Sequence, residues 1–450
     1  MALFLVLMGY IIYFNLEKSQ DIINSSYNPR LDSMADRVVR GKILDKDGNV
    51  LAETTTAEDG SEYRYYPYGN LYAHVVGFSS QGKSGLESAE NFELLTSHAF
   101  FLEKLKNEFQ DEKNIGDNVI TTLNTQLQEA AYNALGSYKG AVVVLEPSSG
   151  KILAMVSKPD FDPNTVAENW EFLSTDENSY LLNRATQGAY APGSTFKLVT
   201  ALEYMREHGD YNAYGYTCQG EITYDGVTIA CAGHNVHGDV SLASSLAYSC
   251  NTSFSNIGLQ LDIERYRDTA ETLLFNSKLP CELPYSQSSF TLKSSDSSAD
   301  RMMTAMGQGK TGTSPYHMAL ITSAIANHGT LMRPYLVDAI TNYSGEIVEN
   351  TEPEEYKKLM SEEEAEQLKS YMQEVVNYGT ASVLSGQGYT VAGKTGTAEY
   401  SSDIEKNHSW FVGFTNVDNP ELAICVLIES SDGQVKAVNV AKEIFDSYYY

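Results

Sequence analysis

Basic side chains are scarce in this chain. Only 31 lysines and arginines stand against 59 aspartates and glutamates, a formal charge of −28 over 450 residues. So acidic a chain lacks the Lys/Arg surface that nucleic-acid phosphates require. It is equally unsuited to general docking on anionic lipid headgroups. Cysteine is scarce too: five residues, an odd count at scattered positions, exclude a disulfide scaffold. There is no internal repeat of fixed period and no long low-complexity run. What remains is ordinary globular material, 42 % apolar and 20 % charged, long enough for two or three domains.

The N-terminus is also defined by absences. Residues 1–16, MALFLVLMGYIIYFNL, carry no charge, no basic n-region and no lipoprotein cysteine, and no small-x-small cleavage site follows. As a helix they would span ~24 Å, short of a ~30 Å hydrocarbon core. The reading is an uncleaved membrane anchor with the long polar chain exported. A buried N-terminal helix is the alternative, but the run has no polar face.

Residues 17–116 read as a small mixed module. It begins with a polar link, EKSQDIINSSYNPRLDSMADR, followed by a hairpin, RGKILDKDGNVLAET, turning at Asp47-Gly48. A helix is expected to open at Ser84 or Ser88. From about residue 117 the pattern changes. NVITTL is strand-like, and NTQLQEAAYNALGS is an amphipathic helix capped by Asn124 or Thr125. Two strands follow around Pro147–Gly150, two more lie near the C-terminus around NVDNPE, and a last amphipathic helix runs toward Tyr448. Strands at both ends with helices between imply a mixed α/β (α+β) domain over 117–450, its antiparallel sheet joining early and late segments and flanked by helices. Cys218 and Cys231 flank a hairpin turning at Asp225-Gly226, where an exported protein can hold a disulfide. Cys231-x-x-His234-x-x-His237 fits no standard zinc spacing.

Three Ser-x-x-Lys pairs place a nucleophile and a base one helical turn apart: Ser80/Lys83, Ser148/Lys151 and Ser194/Lys197. Only Ser194 opens a convincing helix, APGSTFKLVTALEYMREHG, after the break Pro192-Gly193. Backbone N–H groups at that end favour a developing oxyanion; taken alone, Ser194 reads equally as a helix cap. GKTGT occurs twice, at 309–313 and 393–397. GYTVAGKT also fits a P-loop pattern, yet Tyr-Thr-Val-Ala favours strand and no helix is expected to follow, so phosphate cradling is set aside. Lys310 precedes a helix capped by Ser314, whereas Lys394 falls on a strand, which suits an extended peptide-like substrate.

Ser194-Thr195-Phe196-Lys197, Ser249-Cys250-Asn251 and Lys394-Thr395-Gly396-Thr397, in that order and 55 and 145 residues apart, resemble the penicillin-binding protein and serine β-lactamase superfamily. NRATQGAYAPGSTFK, MGQG and HSWFVGF extend the resemblance to class B penicillin-binding proteins of the short-pedestal type over roughly residues 29–450. It implies a 1–16 anchor, a 17–116 pedestal and a 117–450 serine transpeptidase domain. In that domain Ser194 attacks the penultimate D-Ala carbonyl of a peptidoglycan stem peptide on a lipid-linked precursor. Lys197 is the base, made neutral by burial near the Lys394 cation. Ser249 and Lys394 relay a proton, and Asn251 holds the substrate amide, loop capping being its plain alternative. Thr395, Gly396 and Thr397 line the strand that receives the substrate; the two threonines, with Lys394, bind its carboxylate, and the N–H groups of Ser194 and Thr397 form the oxyanion hole. β-Lactams are implied as covalent inhibitors and a SEDS-type glycosyltransferase as membrane partner. No metal or organic cofactor is required. Gln308-Gly309 is the family feature at the first GKTGT, Lys310-Thr311-Gly312 an accidental echo, and Cys250 a packing residue. A serine β-lactamase, with Glu282 as water base, a penicillin-sensing receptor and a non-catalytic cell-wall scaffold are the competing readings.

Overall fold

The computed structural model describes residues 2–17, 31, 34–398, 407–431 and 436–450. Most of the polar link expected at 17–37 lies outside the described residues. Two compact units make up the chain. The first comprises Met1–Leu123, Asp160–Leu181 and Val337–Glu352; the second comprises Asn124–Pro159, Leu182–Leu336 and Pro353–Tyr450.

In the first unit, residues Ala2–Glu17 form a helix whose large apolar side chains from Leu3 to Tyr13 are exposed all round. It is therefore not a core helix. Among the described residues, no helix is long and apolar enough to cross a membrane. A six-stranded sheet runs Ile347–Asn350, Val337–Thr341, Asn118–Thr121, Ile43–Leu44, Val50–Thr56, Glu62–Tyr65. Its hairpin turns as expected at Asp47-Gly48, because the Asp45 carboxylate accepts the N–H groups of Asp47 (2.9 Å) and Asn49 (2.8 Å). The helix Gly85–Ala89, with Ser84 at its N-cap position, carries Glu87 into the interior. There Glu87 accepts from Arg40 (2.6 Å) and Arg64 (2.7 Å). Burial opposes its charge, but the two guanidinium groups outweigh burial and hold its carboxyl below the ordinary value.

The second unit is built on a five-stranded antiparallel sheet. Its strands are β1 (Gly140–Leu145), β2 (Ile152–Lys158), β3 (Val391–Ala398), β4 (Asn407–Thr415) and β5 (Ala423–Ser431), ordered β3-β4-β5-β1-β2. Early and late segments thus share one sheet. Every residue of β1 and β2 is buried, which requires cover on both faces. Helices α1 (Thr125–Leu135) and α4 (Pro315–Ala326) supply it, while α5 (Ala437–Tyr449) packs on α1, β4 and β5. Asn124 caps α1 through the N–H of Leu127, and Ser314 caps α4 through that of His317. Between them run α2 (Lys197–Glu207), buried over its first nine residues, and α3 (Asn251–Gln260). Strand β3 is an edge, so among the described residues one of its sides has no strand beside it.

Candidate active site

Ser194 does not open an α-helix directly. It sits in a 3₁₀ turn, Gly193–Phe196, from which α2 continues at Lys197. No side chain caps that turn, so helix capping does not account for the serine. Gly193 adopts φ +55°, and a Cβ there would stand 2.5 Å from the Thr397 carbonyl oxygen. Only glycine lets the serine turn approach β3 so closely.

One turn along, Lys197 points into the interior and is fully buried. Its Nζ donates to Asn251 Oδ1 (2.7 Å) and the Ser249 carbonyl (2.8 Å), and lies 3.3 Å from Ser249 Oγ. From the opposite side Lys394, also fully buried, donates to Ser249 Oγ (2.9 Å) and the Thr395 carbonyl (2.8 Å). Ser249 Oγ thus bridges two lysine amines. The residue is held at φ +55°, an uncommon conformation for serine that the neighbouring turn sustains. Burial pushes Lys197 down to about 7. Burial, and then the adjacent Lys197 charge, hold Lys394 well below the ordinary lysine value. The expected direction for Lys197 is therefore present, but its leading cause is desolvation. Nor is Lys394 a ready-made cation: without an anion nearby, its own charge is disfavoured.

Asn251 is more committed than expected. Its Oδ1 accepts from Lys197 and its Nδ2 donates to the Ala230 carbonyl (3.0 Å), leaving one N–H and one lone pair for a ligand. The capping of α3 falls to Cys250, whose sulfur accepts the Ser253 N–H (3.4 Å). The Cys250 sulfur lies 3.7 Å from that of Cys231.

These residues border a cavity of about 820 Å³ lined by Ser194, Ser249, Asn251, Thr395, Gly396 and Thr397. Gln308 also lines it and donates to the Thr397 carbonyl (3.4 Å). Tyr248, Trp410 and Thr380 on its wall were not singled out in the sequence. Thr380 hydrogen-bonds Thr395 (2.5 Å); nothing local to Thr380 announces that contact. Among the described residues, no carboxylate lines the cavity. Glu282, the imagined water base, is an exposed residue outside the cavity wall whose carboxylate accepts the Leu336 N–H (3.0 Å).

The other motif copies fall elsewhere. Lys310 forms an ion pair with Asp296 (3.1 Å), and Thr311-Gly312 pair with Ser289–Phe290. Ser148 lies in the turn between β1 and β2, and Ser80 in a bend of the first unit. The P-loop match coincides with β3 itself, so GYTVAGKT opens no helix there.

Comparison with known proteins identifies the family. Residues 140–448 match the family described as penicillin binding protein transpeptidase domain, and residues 40–119 match the penicillin binding protein A dimerisation domain. The chain is 33 % identical over 427 residues to the peptidoglycan D,D-transpeptidase PbpA of Mycolicibacterium smegmatis, covering 89 % of this chain and 86 % of that protein. Penicillin-binding protein A from M. tuberculosis, solved as its imipenem acyl-enzyme complex, superposes with TM-score 0.84 at 29 % identity, over 92 % of this chain and 100 % of that one. A D,D-transpeptidase domain from Eggerthella lenta superposes with TM-score 0.82 at 31 % identity, over 92 % and 98 %.

Proposed function

The chain belongs to the penicillin-binding protein transpeptidases, in their monofunctional class B form, and from that premise we propose that it is a peptidoglycan D,D-transpeptidase working through a Ser194 acyl-enzyme. The observation that carries the residue assignment is the buried Lys197–Ser249–Lys394 bridge beside Ser194.

In the proposed reaction Ser194 Oγ attacks the penultimate D-Ala carbonyl of a stem peptide lying along the free edge of β3. Lys197 takes the hydroxyl proton. As a neutral amine it spends its two N–H groups on Asn251 Oδ1 and the Ser249 carbonyl, which leaves the lone pair free to act as base. The N–H groups of Ser194 and Thr397 hold the developing oxyanion. The substrate's terminal carboxylate, bound by Thr395 and Thr397, supplies the anion that burial denies Lys394, so Lys394 gains charge as substrate arrives. The proton then passes through Ser249 Oγ toward the departing D-Ala amine. An amine from a second stem resolves the ester and closes the cross-link. β-Lactams enter by the same attack, and with no carboxylate among the described residues of the cavity wall to activate water, their acyl-enzyme persists. That observation sets the transpeptidase reading above the β-lactamase one.

The surrounding organisation follows the same proposal. The exposed apolar helix Ala2–Glu17 anchors the chain in the cytoplasmic membrane in a single pass, with residues 17–116 as pedestal and 117–450 as the extracytoplasmic catalytic domain. A SEDS-type glycosyltransferase is the membrane partner that supplies glycan.

The test is intact mass after exposure to penicillin G, for wild type and Ser194→Ala. A one-to-one adduct lasting hours in wild type alone is expected. An adduct lost in seconds while the drug is consumed would make the chain a β-lactamase; none in folded protein would favour the scaffold.

A further inference from the structure

The thiols at 218, 231 and 250 come from three separate segments, the end of the strand Tyr216–Cys218, the residue after Val227–Ala230 and the residue before α3, yet they meet in one place. All three are buried, and no disulfide joins them. Cys218 and Cys231 have their sulfurs 3.7 Å apart, and so do Cys231 and Cys250. A disulfide needs about 2.05 Å and could join only two of the three. The fourth member is an imidazole: His237 Nδ1 lies 3.4 Å from Cys218 Sγ. All four donor atoms fall within 4.8 Å of one another.

The three short separations match the edges of a metal-centred tetrahedron. Zinc–sulfur bonds of about 2.3 Å put sulfur pairs roughly 3.8 Å apart, and a zinc–nitrogen bond of about 2.05 Å puts nitrogen roughly 3.6 Å from sulfur. The surroundings suit thiolates. Cys250 Sγ accepts the Ser253 N–H (3.4 Å) and lies 3.3 Å from the Thr252 hydroxyl, which is 3.7 Å from Cys231 Sγ. His237 is stacked on Tyr248, ring centroids 5.6 Å apart and planes within 5°, so its orientation is set from outside the cluster. His234, which the sequence pattern paired with Cys231, is not a member.

We propose that Cys218, Cys231, His237 and Cys250 bind one Zn²⁺ in a closed structural site. Three thiolates and a neutral imidazole fill all four positions, so the ion takes no part in acyl transfer. Binding releases the three thiol protons to solvent. Its consequence is positional. Cys250 lies between Ser249 and Asn251, so the ion ties the turn carrying both residues to the strands that hold Cys218 and Cys231. The apolar-packing role read from the sequence for Cys250, and the hairpin disulfide, are both replaced.

Full-length protein in detergent, purified without chelator, is expected to carry one zinc per chain by elemental mass spectrometry. Co²⁺ exchanged into it should give the intense visible bands of tetrahedral thiolate cobalt. Cys218→Ser/Cys231→Ser should bring the metal content near zero, whereas His234→Ala leaves it at one. Wild-type protein that is metal-free after Zn²⁺ loading, with three freely alkylated thiols, overturns the proposal. So does an intact mass lighter by one hydrogen pair, which is a disulfide. Metal content is read without substrate or β-lactam, so it stands or falls separately from the transpeptidase reading.

Discussion

The pH dependence of acylation follows directly from the burial of Lys197. An ordinary lysine titrates near 10.5, so at pH 7 about one amine in three thousand is unprotonated. Burial brings Lys197 to about 7, where about half are unprotonated. Desolvation therefore multiplies the competent base about a thousandfold, ~4–5 kcal/mol at 1.36 kcal/mol per pH unit. The sign is set by the chemistry: the base works when neutral, so activity is gained as pH rises through the folded value and lost below it. The assay is the second-order rate of labelling by a fluorescent penicillin between pH 5.5 and 9. It should climb about tenfold per unit below 7 and level off above. Lys197→Ala should lose both limb and plateau level while the protein keeps its melting temperature within a few degrees. A rate flat across the range, or still climbing tenfold per unit at pH 9, would refute the argument.

Lys394→Ala should slow acylation by roughly 10- to 150-fold, the ~1.5–3 kcal/mol of a charge-assisted contact, whereas Lys310→Ala, which breaks partly exposed pairs with Asp296 and Asp300, should stay within twofold; equal losses would overturn the choice of copy. Gly193→Ala puts a Cβ at φ +55° and 2.5 Å from the Thr397 carbonyl oxygen, so at least ~1–2 kcal/mol of strain should appear as a lower melting temperature and slower acylation; an unchanged labelling rate would show that the serine turn and β3 need not touch. Glu87→Gln leaves two buried guanidinium groups without a countercharge, and chemical denaturation should report a loss of ~3–5 kcal/mol; a loss below ~1 kcal/mol would mean that water reaches the site.

The cavity also bears on lifetime. A deacylating serine enzyme of this kind presents a carboxylate to its water, and among the described residues the wall offers none. Glu282 could not serve while bonded to the Leu336 N–H away from the cavity.

What the sequence determined by itself was whatever depends on neighbouring residues. The Asp47-Gly48 turn, the Asn124 and Ser314 caps and the strand character of GYTVAGKTGT are local preferences, and the structure carries each of them. The order of the three motifs was legible for the same reason. Tertiary structure alone decided the rest. Which KTG copy lies at the site depends on β3 being an edge of a sheet that joins residues 140 and 431. The lowered lysines depend on burial, and the serine they share is reached across 52 and 145 residues of chain. The partners of Asn251, the bond between Glu282 and the Leu336 N–H and the gathering of Cys218, Cys231, His237 and Cys250 are likewise long-range. No spacing rule encodes them, because the distance between two segments is set by how the elements between them pack.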